Sequence, residues 1–338
     1  MLCNINLICK NISIFKLYYN MNLGSLQNNI KSINKHTHYF GYKILSPQNF
    51  KNNKVNRLVN LYQMQYRNSP AQGFGDYIRG CFFLLQVAMM NNLRFDMNLV
   101  NHPIGEFFEI SQEQKEEKID FKNVYRYMPN NLEKMHKEFY GEFCSHLNQI
   151  YSANYYLFCN SYPISAITTF QRRVILSKIK PNEELLSSIK EAETKLKLPE
   201  SYRVLHIRSG DTFILKNKKI DSLTALNVYD QVKKFVLPNK YYLLLADNNE
   251  LKIYLAKKMP NVNVLLNDIT HLGESKNHSS LSVKNTLVDF FLMSKAKSII
   301  SFTVYPHGTS FSEWCAKLYN IPYYCEMLNA FKKTWFSV

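Results

Sequence analysis

From residue 203 onward, short apolar runs alternate with segments of helical period, and this alternation constrains the fold more than any other feature of the chain. Strands are expected at 203–208, 241–246, 262–266, 298–302 and 322–325, with helices at 222–236, 249–259, 282–296 and 310–319. Strands joined through helices run parallel, in a sheet covered on both faces, and such sheets bind ligands beyond the C-terminal ends of their strands. Functional residues are therefore sought at the strand tips.

The first tip lies in VLHIRSGD (204–211), where an apolar strand delivers His206, Arg208 and Asp211 to a turn that Ser209 and Gly210 permit. The second ends in Asp247. After the fourth, the loop TVYPHGTSFSEW opens the last helix and places Gly308, Thr309, Ser310 and Ser312 around its N-terminus. A helix start presents free backbone N–H groups and a positive dipole end, which suits a phosphate. Two tips of one sheet thus offer anion-binding chemistry.

Upstream, 181–198 reads as a helix. Glu183 and Glu184 stand in its first turn, Lys195 and Lys197 in its last, and Leu185, Ile189, Ala192 and Leu196 form one apolar stripe. Further back, a strand at 62–67, the turn SPAQGFGDYIRG, a helix reaching residue 91 and a strand at 93–97 make a βαβ unit. Gly73 and Gly75 supply backbone freedom to that turn, and Asp76 and Arg79 in the first helical turn face whatever lies above the strand ends. GFGD is not GxGxxG, so no dinucleotide fingerprint is present. A further strand is expected at 39–45. Residues 111–145 read as charged helix or loop, with QEQKEEK a solvated helix face, and the aromatics of 151–162 read as core.

A length of 338 residues fits two domains, and 46% hydrophobic with 14% aromatic residues is a globular composition. The boundaries are set at 1–50 for a basic extension, 51–180 for one α/β domain and 181–338 for another. The net charge of +16 suggests nucleic acid as a partner, but nine Lys and Arg and no acid precede Asp76. The excess is a basic arm on a mixed-charge body, so no nucleic-acid partner is expected. Seven cysteines without CxxC spacing point to reduced, mostly buried thiols, and His36 and His38 lack the companions of a metal site. No run approaches the ~20 apolar residues of a membrane span. A soluble, cytoplasmic protein is expected.

These residues also resemble a family. HIRSGD is similar to the HxRRxD motif of the fucosyltransferases that use GDP-fucose, the group of α1,2-, α1,6- and protein O-fucosyltransferases. VDFFLMSKAKSIISF resembles their aspartate-led helix and strand, TSFSEWCAKL a serine-rich segment of the α1,2 branch, and QGFGDYIRG their N-terminal glycine turn. The resemblance spans residues 62–325. It departs where Ser209 replaces the second arginine and where VYPHG precedes the serine segment.

The resemblance implies a GT-B architecture, two Rossmann-like doubly wound domains facing across a cleft. The nucleotide sugar is expected on the C-terminal domain and a glycan or protein acceptor mainly on the other. It implies inverting transfer without a metal or other cofactor, and no D-x-D motif occurs. Arg208 is expected to neutralise the leaving diphosphate, with Thr309, Ser310 and Ser312 bonding phosphate oxygens, His206 bonding the nucleotide or orienting its neighbours, and Asp289 reaching guanine or ribose. Asp76 and Asp211 are both candidates for the base that takes the acceptor's proton, with Gly75 and Arg79 on the acceptor side. A transferase for another nucleotide sugar, or a non-catalytic polyanion-binding protein, are the alternatives.

Overall fold

Two parallel sheets follow one another along the chain. In the computed structural model, residues 55–329 are described, except 64, 67–68, 122–123, 128–153, 211–218 and 274–278. In the first half, β1 (Arg57–Leu61) leads through a two-residue antiparallel ladder, β2 (Gln65–Tyr66) with β3 (Ser69–Pro70), into helix α1 (Phe74–Met90). Strand β4 (Arg94–Asn98), a short helix α2 (Gln112–Glu116), β5 (Tyr125–Tyr127) and β6 (Asn154–Cys159) follow. The four longer-range partners form a parallel sheet in the order β4-β1-β6-β5.

Helices α3 (Thr169–Lys178) and α4 (Glu183–Leu196) lead to the second half. There β7 (Arg203–Arg208), α5 (Ser222–Val232), β8 (Tyr242–Ala246), α6 (Asn249–Lys258), β9 (Val262–Val264), α7 (Ser280–Ser294), β10 (Ser298–Thr303), α8 (Ser310–Tyr319) and β11 (Tyr323–Met327) alternate strictly. Their order is β11-β10-β7-β8-β9, every pairing parallel. The chain winds outward from β7 to β9, then returns to the other side of β7 at β10. The direction of winding therefore switches between β7 and β10, which is where doubly wound sheets open a ligand crevice. In that pair His206 lies opposite Ser301, and Arg208 opposite Thr303.

Strand β8 is buried throughout and β7 up to its last residue, because helices cover both faces; this is why β8 reads as an unbroken apolar run and β7 as one interrupted by His206 between Val204 and Ile207. The two halves share a core. Leu58, Tyr77 and Phe82 from the first belong to one apolar cluster with Phe290 and Trp314 from the second. Phe74 meets Phe290 edge-on at 5.0 Å, and Phe82 lies 6.1 Å from Trp314. Each such buried ring contributes about 1.5–3 kcal/mol of apolar transfer energy.

Several expectations for the first half need correction. Of the strand expected at 62–67, the described residues form only the two-residue β2; the sheet strand is β1, which starts five residues earlier. Its polar members disguise it: Arg57 is buried against Glu117, and Asn60 exchanges side-chain hydrogen bonds with the Cys159 amide (3.0 Å) and carbonyl (3.2 Å) on β6. Among the described residues of the charged run 111–145, the α-helix covers 112–116, and β5, β6 and α3 were not foreseen as elements. The strand expected at 39–45 lies outside the described residues.

The glycines of the turn also act differently from expectation. Gly73 has an ordinary extended backbone (φ −61°, ψ 154°), and Gly75 is inside α1. Their use is spatial, and at Gly75 it is absolute: a Cβ there would sit 2.1 Å from the carbonyl oxygen of Ser310 on α8. A side chain at Gly80 would likewise meet the Cys159 carbonyl at 1.8 Å. No helix among the described residues is long and apolar enough to cross a membrane. Cys81, Cys159 and Cys315 are buried free thiols.

Candidate active site

The β7 tip turns sharply at Gly210, whose φ of +113° is open to glycine and strained for other residues. The turn is built around Asp247, at the end of the neighbouring strand β8. One carboxylate oxygen, Oδ2, accepts from the Ser209 amide at 2.8 Å, the Gly210 amide at 3.2 Å and Arg208 Nη1 at 3.0 Å. Burial pushes this carboxyl above its usual range, against the pull of Arg208 and the two amides. Arg208 is thus held in place by a buried counter-charge, with the Tyr305 ring 6.0 Å from its guanidinium carbon. Asp211 lies outside the described residues.

His206 points into the sheet–helix interface. Its Nδ1 is 3.0 Å from Ser312 Oγ, and the Ser312 hydroxyl donates to Ser301 Oγ at 3.2 Å. Burial, with the Arg208 charge nearby, lowers the imidazole to about 3, so the ring is neutral at physiological pH. Ser312 is fully buried. In this arrangement His206 and Ser312 brace β7, β10 and α8 against one another.

Thr309 and Ser310 occupy the start of α8, after a turn in which Gly308 has φ +84°. Helices α2 to α7 are each capped by a side-chain oxygen, from Ser111, Thr168, Asn182, Asp221, Asn248 and Ser279. Thr309 makes no such bond for α8, and Gly73 can make none for α1. These two uncapped N-termini are the ones that meet at the Gly75–Ser310 contact. Two positive dipole ends therefore converge beside the switch point.

Asp76 sits between them. It accepts a hydrogen bond from Ser310 Oγ at 2.8 Å and pairs with Arg79 Nη1 at 2.7 Å. Arg79 is buried. It also donates from Nη1 to Ser310 Oγ at 3.3 Å and from Nε to the Asn160 carbonyl at 2.6 Å, and its guanidinium lies 4.2 Å over the Tyr162 ring. The structure thus brings Asp76, Arg79, Gly75 and Ser310 together across the two halves.

Asp289 lies in the middle of α7 and is buried, with Oδ1 lacking any hydrogen-bond partner. Burial pushes it up to about 6, opposed by the charge of Lys252 on α6. Lys252 is fully buried and donates to the Leu265 carbonyl at 2.9 Å. Burial lowers its ammonium below the usual range, while Asp289, Asp247 and Asp268 pull the other way. Lys252 was missed from the sequence because it falls in a polar helix, NELKIYLAKK, where nothing distinguishes it from a solvated lysine. Asp247 was visible as a strand-tip residue, but its control of the turn was not. Among the described residues, no group of three or more His, Cys, Asp or Glu is placed to hold a metal ion.

No family model matches the chain, and no curated protein matches it. Solved structures do. A mutant of FUT1 from Arabidopsis thaliana in complex with GDP is 8% identical, with 88% of this chain and 78% of that one covered at a TM-score of 0.50. The fucosyltransferase NodZ from Bradyrhizobium is 14% identical, with 78% and 92% covered at 0.47. POFUT1 in its apo form is 9% identical, with 82% and 99% covered at 0.43. At these identities the likeness is one of fold, and the match at 0.50 carries it. The architecture is GT-B: two parallel sheets, each flanked by helices, form two Rossmann-like halves.

Proposed function

We propose that the protein is an inverting, metal-independent glycosyltransferase that takes fucose from GDP-fucose and places it on a hydroxyl of a glycan or protein acceptor. The observation that carries this reading is the pairing at the β7/β10 switch point: Arg208, fixed by Asp247, stands on one side and the uncapped start of α8 on the other. A diphosphate fits chemistry of that kind, since a guanidinium forks onto two of its oxygens and a helix start offers N–H donors. The choice of GDP-fucose rests on the HIRSGD resemblance and on the fold shared with fucosyltransferases.

In the proposed reaction, the acceptor oxygen attacks C1 of the fucose and the C1–O bond to the diphosphate breaks, leaving GDP. Arg208, Thr309, Ser310 and the α8 amides take up the charge that develops on the leaving phosphate. The acceptor's proton goes to a carboxylate, Asp76 from the first half or Asp211 from the second. Asp289, with an unmet acceptor in a buried site, suits the N–H donors of a guanine. His206 is assigned the second of its two expected roles, orienting its neighbours, and Ser312, turned inward to it, is assigned to supporting the site in place of the expected phosphate contact. The domain division at 50/51 and 180/181 is kept as part of this reading, with the acceptor on the first half.

Incubation of the protein with GDP-fucose alone tests the donor assignment. Release of GDP and free fucose, with water as acceptor, is the expected result. Release from a UDP-sugar in its place would move the assignment to another nucleotide sugar.

A further inference from the structure

The Ser310 hydroxyl has one proton, and in this structure it is given to Asp76. If an incoming phosphate accepts the Ser310 hydrogen bond instead, Asp76 loses the hydrogen bond it receives from α8. What then keeps the carboxylate in place is Arg79. This guanidinium is anchored on three sides: the Asn160 carbonyl beyond the end of β6, the face of Tyr162, and its own helix one turn from Asp76. The contact between Gly75 and Ser310 fixes the distance across which the exchange occurs.

From this geometry we infer that Arg79 is a positioning residue: it holds the Asp76 carboxylate at its station while the Ser310 hydroxyl passes from Asp76 to the phosphate of the donor. The inference rests on the function proposed above and deepens it. It gives Arg79 a part in turnover and little in donor affinity, because among the described residues its contact toward the phosphate side is the long 3.3 Å bond from Nη1 to Ser310 Oγ. It also chooses Asp76 over Asp211 as the group that receives the acceptor's proton.

The test compares wild type with Arg79→Met and Arg79→Lys, using GDP affinity by calorimetry and GDP-fucose hydrolysis, in which water is the acceptor. In Arg79→Met, GDP affinity stays within about threefold while hydrolysis falls on the order of 10²-fold, the scale of an ångström-level misplacement of a reacting group. Arg79→Lys, which restores a cation but not the forked contacts, recovers about tenfold of that loss. An Arg79→Met protein that loses GDP affinity as much as turnover, or that loses neither, overturns the inference. Should Arg79→Met fail to fold, Arg79→Lys decides alone, since turnover equal to wild type, or an equal loss of affinity and turnover, contradicts the positioning role. Wild type that binds no GDP removes the proposed function and this inference together; wild type that binds and hydrolyses GDP-fucose with Arg79 dispensable removes only the inference.

Discussion

Arg208 Nη1 lies 3.0 Å from Asp247 Oδ2, and the same oxygen accepts from the amides of Ser209 and Gly210. One buried carboxylate on β8 thus sets both the position of the cation and the shape of the turn that follows it. Asp247→Ala removes the shared acceptor of two buried amides and the counter-charge beside the Arg208 guanidinium. A loss of about 3–5 kcal/mol in unfolding free energy is expected, read by urea denaturation. An unchanged midpoint would mean that the turn holds itself.

Replacement of Arg208 itself acts on chemistry more than on folding. Arg208→Ala is expected to lower turnover of GDP-fucose by about 10²–10³-fold, which corresponds to about 2.7–4 kcal/mol of transition-state stabilisation. Arg208→Lys should restore only part of this, because an ammonium cannot fork onto two phosphate oxygens. Turnover in Arg208→Ala within a few fold of wild type would place the diphosphate elsewhere.

Gly75 tests the junction of the two halves. The Cβ of Gly75→Ala would overlap the Ser310 carbonyl, and neither helix can shift without moving the shared core around Phe74, Phe290 and Trp314. Overpacking of this kind costs about 1–3 kcal/mol or more. Thermal unfolding should show a drop for Gly75→Ala, and alanine at a helix-interior glycine free of contacts would instead stabilise.

Two buried groups give opposite pH signatures. Asp289 is raised to about 6, so between the unfolded carboxylate range and pH about 6 the folded protein holds a proton that the unfolded chain has lost. Stability contributed through Asp289 therefore falls as pH rises through that window. Asp289→Asn should gain stability relative to wild type between about pH 4 and pH 7. His206 is lowered to about 3, so the unfolded chain binds its proton first as pH falls below the usual histidine range. Stability through His206 is lost on acidification, and His206→Gln should gain relative to wild type as pH drops from about 6.5. If Asp289 binds guanine as a carboxylate, GDP affinity weakens below pH about 6 and Asp289→Asn removes that dependence. Parallel pH profiles for wild type and each variant would contradict these assignments.

How far the sequence discloses the molecule differs between its halves. The second sheet was legible almost residue for residue, since β8 is an unbroken apolar run buried on both faces, and β7 and β10 each carry an apolar centre, 204–207 around His206 and 299–302 around Ser301. The first half was obscured by polar residues used inside: Arg57 and Asn60 in β1, and Gln86, which binds the amides of Ile164 and Ser165 from within α1. The site residues were legible as positions, because strand tips and helix starts can be located from pattern alone. Their partners were not. That Ser312 would turn inward to His206, that Ser310 would meet Asp76 from 234 residues away, and that Lys252 would lie buried near Asp289 all depend on how the two sheets are brought together.

In the proposed function, Arg208 and the start of α8 form a diphosphate site for a guanine nucleotide sugar. Thermal-shift measurement of wild type and Arg208→Ala against GDP, GDP-fucose, GDP-mannose and UDP tests it most directly. Stabilisation of wild type by GDP and GDP-fucose, little by UDP, and loss of the shift in Arg208→Ala is the predicted result. No stabilisation by any GDP compound, or an equal shift in Arg208→Ala, would contradict the account.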